Sequence, residues 1–183
     1  MMNRPLIALA LLALLPLAAK ADDRLSYTYV EAGYVNADGD ADGFGLRGSV
    51  SFGASGMYGF AGYSEVEIDN TNIDVGLTRL GIGYAHGLSD SLDLISELAY
   101  LNADADGASS IDGYGISVGL RGSLGENFEG LVKANYTDGD GLDGDFTGTI
   151  GGQYKFNRTW GLVGEVEFGN GDQTYLLGVR ASF

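Results

Sequence analysis

Tyr114-Gly115-Ile116-Ser117-Val118-Gly119-Leu120-Arg121 alternates without a break between apolar residues and small or charged ones. Successive side chains of a β-strand point to opposite faces. The stretch therefore predicts a strand with Tyr114, Ile116, Val118 and Leu120 on one side and Gly115, Ser117, Gly119 and Arg121 on the other. The same period recurs along the chain. Phe44, Leu46, Val50 and Phe52 oppose Gly45, Arg47, Ser49, Ser51 and Gly53; Phe128, Val132, Ala134 and Tyr136 oppose Glu129, Leu131, Lys133 and Asn135. Phe146, Ile150, Tyr154 and Phe156 oppose Thr147, Thr149, Gln153 and Lys155, and Trp160, Leu162, Val166 and Phe168 oppose Gly161, Val163, Glu165 and Glu167. Each run is about ten residues, the length with which a tilted strand crosses a bilayer.

Extending the pattern predicts ten strands, at 25–36, 43–53, 57–68, 75–86, 92–102, 113–124, 128–137, 145–156, 160–169 and 174–183. Connections near 54–56, 87–91, 125–127 and 157–159 are short. Those at 37–42, 69–74, 103–112, 138–144 and 170–173 are mostly longer and rich in Asp, Asn and Gly. That asymmetry suits an all-β, transmembrane antiparallel up-and-down β-barrel, and an even strand count puts both termini in the periplasm. Eight strands remain the alternative if the first hairpin or one later strand is misread. In the first strand Val30, Ala32 and Tyr34 keep phase while Tyr27 and Tyr29 do not, which a bulge or a shorter strand would explain.

Ahead of the barrel, Arg4 precedes an apolar run from Leu6 to Ala18 and the small-residue site Ala19-Lys20-Ala21. The run is too short to span about 30 Å of hydrocarbon, so residues 1–21 read as a secretory signal peptide and 22–183 as the barrel domain. Without Arg4 and Lys20, eight basic residues face 25 acids, a net charge of −17 that sets nucleic acid aside as a partner. There is no cysteine to staple the fold.

A soluble sandwich also alternates, so the placement of aromatics decides between the two. Tyr34, Phe44, Tyr100, Tyr114, Tyr136, Phe146, Phe168 and Tyr175 fall at strand ends beside the Asp-rich loops. Phe52, Tyr58, Phe60, Tyr84, Phe128, Tyr154, Phe156, Trp160 and Phe183 fall at the opposite ends. Two aromatic belts around an aliphatic band match the two interfaces of a bilayer, whereas a sandwich core has no reason to sort aromatics by depth.

The C-terminus ends on Phe183 with Tyr175, Leu177, Val179 and Ala181 at every second position before it. This resembles the terminal strand by which outer-membrane barrels are recognised by the barrel assembly machinery, which implies passage with periplasmic chaperones to the bacterial outer membrane. The whole mature chain resembles small barrels of the OmpA/OmpX type. The opening Leu25-Ser26-Tyr27-Thr28-Tyr29-Val30-Glu31-Ala32-Gly33-Tyr34-Val35 resembles small barrels of plant-associated bacteria once proposed as activators of plant immunity.

The inward faces are expected to carry a charge ladder. Arg47, Arg79, Arg121, Lys155 and Arg180 lie on strands descending from the loops. Glu31, Glu65, Glu67, Glu97, Glu129 (with Lys133), Glu165 and Glu167 lie on ascending ones, so neighbouring strands would pair opposite charges. A ten-stranded barrel is only slightly wider than the size side chains can fill, and we read the lumen as filled or poorly conducting, with a narrow porin-like passive channel as the alternative. The loops hold many aspartates. Asp38-Gly39-Asp40-Ala41-Asp42-Gly43 matches the first half of an EF-hand loop, but Ser49 stands where the twelfth-position Glu is needed, so no metal site is expected. Lipopolysaccharide, bridged by divalent cations, is the expected contact of the loop carboxylates.

No catalytic site is expected. The single histidine, His86, lies at the periplasmic end of the fourth strand, and no nucleophile elbow, P-loop or zinc-ligand spacing occurs. The sequence points to a non-enzymatic, monomeric, cofactor-free barrel with a structural or surface-interaction role.

Overall fold

Ten antiparallel strands close into a barrel in the computed structural model, which describes residues 25–183 apart from 39, 72, 106 and 141. They are β1 Tyr29–Ala37, β2 Ala41–Ser51, β3 Met57–Ile68, β4 Asp74–Ser89, β5 Leu92–Ala105, β6 Ile111–Ser123, β7 Phe128–Gly139, β8 Leu142–Lys155, β9 Trp160–Gly169 and β10 Asp172–Ser182. Each pairs with its sequence neighbour, and β1 pairs with β10 from Tyr29↔Ser182 to Ala37↔Thr174, so no edge is left unpaired. Among the described residues there is no helix. Residues 1–21, expected to be a signal peptide, Gly39 and Asp106 lie outside the described residues, as does the side chain of Asp143.

The strand count and most boundaries agree with the sequence reading, and β1 begins at Tyr29 rather than at residue 25. The expected loop-length asymmetry does not hold. Connections 38–40, 69–73 and 106–110 at one end are close in length to 52–56, 124–127 and 156–159 at the other. The Asp- and Asn-rich segments continue the ladders instead, as in Ala103↔Ile111 and Thr137↔Asp145. Asp38, Asn70 and Asn170 then make the tight turns at positive φ, a conformation that Asp and Asn adopt more readily than other side-chain-bearing residues.

Burial is inverted relative to a protein folded in water. Ile150 is 55% exposed and Leu177 59%, whereas Glu31 is 2% exposed and Gln153 3%. The apolar band runs around the whole outer wall, far beyond the patch a monomer tolerates against water, and hydrocarbon is the solvent that suits it. Tyr34, Phe44, Tyr100, Tyr114, Phe146, Phe168 and Tyr175 rim it at the loop end. Phe52, Tyr84, Phe128, Tyr154, Phe156 and Trp160 rim it at the end carrying both termini.

One strand faces the opposite way from the sequence reading. Antiparallel neighbours share a face at each paired position, and the inward Arg47 pairs with Gly62. The even residues of β3 are therefore inside: Tyr58 and Phe60, expected in the outer belt, lie in the lumen. Glu65 and Glu67, expected in the lumen, lie on the outer face at the loop end. Two glycines of β4 make room for the rings. A Cβ on Gly83, paired with Tyr58, would sit 2.2 Å from that ring, and one on Gly81 would sit 2.4 Å from both Phe60 and the Leu98 carbonyl. Because a backbone carbonyl cannot step aside, Gly81→Ala should cost about 1–3 kcal/mol. The loss would be read as a lower denaturant midpoint by the fluorescence of Trp160, the single tryptophan.

Candidate functional site

The inward charges gather in three nodes rather than a ladder. In the first, Glu31 on β1 accepts from Arg180 on β10 (Nε to Oε2, 2.7 Å) and meets Arg47 on β2 (Nε to Oε1, 3.0 Å). Arg47 also donates to Glu165 on β9 at 2.8 Å, reaching past β1 and β10, and Arg180 lies 3.8 Å from that same carboxylate. The Arg180 guanidinium sits 4.1 Å from the Tyr29 ring centroid. In the second node Glu129 on β7 holds Arg121 of β6 (Nη2 at 2.7 Å, Nε at 3.2 Å) and Lys155 of β8. In the third, Glu97 on β5 meets Lys133 of β7 at 3.3 Å and Arg79 of β4 at 3.8 Å, and accepts from the Tyr58 hydroxyl at 3.0 Å.

All six expected lumen cations thus have a carboxylate partner, but two of the contacts skip a neighbour: Arg47–Glu165 and Lys133–Glu97. Strand alternation places a charge on the inner face and leaves open how far a long side chain reaches across a narrow bore. Glu167 accepts from Thr147 at 2.6 Å and makes no ion pair among the described residues. Glu65 and Glu67 face outward and likewise make none, which corrects their assignment to the ladder. Burying a charge is tolerated when it is paired and hydrogen-bonded; every node is ion-paired, while Glu31 Oε1 and Glu129 Oε1 meet their cations without a hydrogen bond.

Residues that the sequence reading left out complete the site. Tyr27, ahead of β1, enters the lumen at the terminal end. It donates to Asp93 of β5 at 2.8 Å and stacks on Tyr58 with ring centroids 4.8 Å apart. Arg121 lies over its ring at 4.8 Å. Burial is the largest influence on the Tyr27 phenol and pushes it well above its ordinary value, so its proton stays available to Asp93. The signal was present: Tyr27 and Tyr29 fall out of phase with the lipid face because they belong to the inner one.

Two cavities lie in the bore. One of about 200 Å³ occupies the loop-end half, between Arg79, Leu77, Thr174, Leu176 and the charged nodes. One of about 60 Å³ lies below it, between those nodes and a floor of Tyr27, Tyr58, Arg121 and Glu129. Tyr29, Arg47, Glu97, Lys133 and Glu165 line both, so these side chains stand where the two cavities adjoin. Val163 beside the lower cavity is 1% exposed.

On the outer face at the loop end, aromatic hydroxyls donate to carboxylates. Tyr63 donates to Glu65, Tyr100 to Asp112, and Tyr114 and Tyr136 to Asp138 at 3.2 and 3.0 Å. The EF-hand-like stretch forms the first hairpin, where Asp38 accepts from the Gln173 amide at 2.6 Å. Among the described residues no group of His, Asp and Glu side chains is arranged to hold a metal ion. His86 lies on the outer face beside Tyr84, with rings 6.3 Å apart. Tyr175, Leu177 and Val179 of the terminal strand face outward, and Phe183 is half-buried at its end.

No protein-family model matches the sequence, and no curated protein matches it either. The fold is similar to that of a KdgM porin solved in complex with disordered oligogalacturonate, with a TM-score of 0.55 and 16% identity over 85% of this chain and 99% of that one. It is similar to a NanC porin, with a TM-score of 0.55 and 13% identity over 85% of this chain and 100% of that one. This likeness is one of fold. Together with the apolar outer wall, it makes the chain a porin-like β-barrel of the bacterial outer membrane.

Proposed function

We propose that this barrel is a non-enzymatic protein whose lumen is closed at rest and which acts at the outer surface through its acidic rim and loops. The observation that carries the reading is the partition of the bore. Six cations are held by four carboxylates in nodes that cross the bore between cavities of about 200 and 60 Å³. A conducting pore needs a continuous wet path, and mutually paired side chains reaching across the bore between the cavities support a closed one.

At the surface, the outward carboxylates Glu65, Glu67, Asp112 and Asp138 stand where lipopolysaccharide headgroups begin. Like charges repel, and divalent cations bridging the two would turn that repulsion into adhesion. The whole chain's resemblance to OmpA/OmpX-type barrels fits a structural role of this kind. So does the resemblance of Leu25–Val35 to small barrels of plant-associated bacteria, although Tyr27 in that segment points into the lumen, so a surface role rests on the loops. The protein acts as a monomer in this reading, and Tyr175, Leu177, Val179 and Phe183 present the assembly signal.

The test is conductance. The refolded mature chain, shown to be folded by heat-modifiable gel mobility, is expected to be silent in planar bilayers. Steady discrete steps would replace this reading with a narrow passive channel lined by paired charges. The observation favouring that second reading is that the two cavities adjoin at side chains that line both.

A further inference from the structure

We propose that Leu25–Thr28 is a removable plug for the terminal end of the lumen, with Tyr27 as its stopper and Thr28 as its hinge; this rests on the closed-lumen reading above. The segment lies outside the ladders that build the barrel, since β1 begins at Tyr29. Thr28 is tied to the wall on both sides: its hydroxyl accepts from the Ser51 amide at 3.1 Å and its carbonyl from the Phe183 amide at 2.9 Å. Beyond that point the chain turns inward and is held mainly through side chains. Ser26 donates to the Phe183 carbonyl at 2.8 Å, Arg121 donates to the Ser26 carbonyl at 2.9 Å, and Tyr27 reaches Asp93.

Asp93 belongs to β5, on the far side of the barrel from β1 in the strand order, so the Tyr27 side chain crosses the bore. It forms the floor of the lower cavity together with Tyr58 and Arg121. The mode of attachment is what makes the plug removable. Each strand is held by a run of paired residues on both sides, whereas the segment ahead of Thr28 rests on the two hydrogen bonds at Ser26, one phenolic hydrogen bond, one ring stack and one cation–π contact. Such contacts contribute on the order of 1 kcal/mol each, far less than the barrel as a whole. The segment can leave without opening a single ladder. Once it has left, the partition of paired side chains is the remaining barrier, and the lower cavity joins the water at the terminal end.

The experiment uses the refolded mature chain and Tyr27→Ala, Tyr27→Phe and Asp93→Asn, each checked for heat-modifiable mobility. Gln153 lines the lower cavity and the chain has no cysteine, so Gln153→Cys in each background reports access by a water-soluble thiol reagent. A slow reaction is expected in the parent background. It should be at least tenfold faster with Tyr27→Ala and intermediate with Tyr27→Phe, which keeps the ring and loses the hydrogen bond, and with Asp93→Asn, which keeps an acceptor but removes the charge that strengthens that bond. Parent and variants alike should stay silent in planar bilayers, because the paired side chains between the cavities still close the bore. If Tyr27→Ala does not fold, the two conservative variants carry the same comparison. A silent parent with equal labelling rates in every background would overturn the plug and leave the closed lumen standing. Steady conduction by the parent would overturn both.

Discussion

Glu31→Ala is expected to destabilise the folded barrel by roughly 3–5 kcal/mol, the cost typical of breaking a buried ion pair by removing one partner. Glu31 is 2% exposed and holds two arginines, Arg180 at 2.7 Å and Arg47 at 3.0 Å. Arg47 retains Glu165 at 2.8 Å, but Arg180 is left with that carboxylate at 3.8 Å, Gln153 at 3.5 Å and the Tyr29 ring, and is itself 7% exposed. The penalty thus falls chiefly on an orphaned guanidinium that water barely reaches. Replacing both partners, Glu31→Met with Arg180→Met, should recover much of the loss because no uncompensated charge stays behind. Denaturant titration in lipid vesicles, followed by Trp160 fluorescence, measures both. A single-variant loss under about 1 kcal/mol would mean the lumen is wet enough to solvate the orphan, which would undercut the closed-bore reading along with the energetic one.

Ile150→Arg tests the other face of the wall. Ile150 is 55% exposed and sits midway along β8, between Phe146 at the loop end and Tyr154 at the terminal end. An arginine there must either enter hydrocarbon or stretch to an interface, at about 2–4 kcal/mol for a position near the midplane of a barrel. The control is Ser109→Arg in the exposed connection between β5 and β6, where a surface change should stay within about 0.5 kcal/mol. Equal effects at the two positions would mean that the apolar band does not face lipid.

The two experiments probe opposite sides of one strand pattern, and they show which part of the fold could be read early. In the run from Tyr114 to Arg121, one face is wholly apolar and the other wholly small or charged, so period two alone assigned lipid and lumen correctly. The same held for β7 to β10, whose lipid-facing apolar residues are exposed and whose lumen charges, Glu167 apart, are ion-paired. β3 resisted because both of its faces carry aromatics: Tyr58 and Phe60 on one, Tyr63 on the other, with Glu65 and Glu67 continuing the second. Composition could not tell a carboxylate pair in a lumen from one at an outer rim. The partner strand could, since Arg47 fixes the side on which Gly62, and hence all of β3, must face.

The loops were misjudged for a related reason. Asp and Asn read as turn formers, yet above the membrane a strand needs no apolar face, and the ladders run on through Asp112, Asp138 and Asp145.

By itself, then, the sequence determined an all-β chain of ten membrane-length strands, the lipid face of most of them, and the enclosure of most of the remaining strand charges. Those properties are local, because alternation and strand length depend only on neighbours along the chain. The tertiary structure alone decided which face of β3 turned inward, that Arg47 reaches Glu165 and Lys133 reaches Glu97 past intervening strands, and that Tyr27 crosses the bore to Asp93. Each depends on register and on the diameter of the closed barrel, quantities that exist only once β1 has met β10.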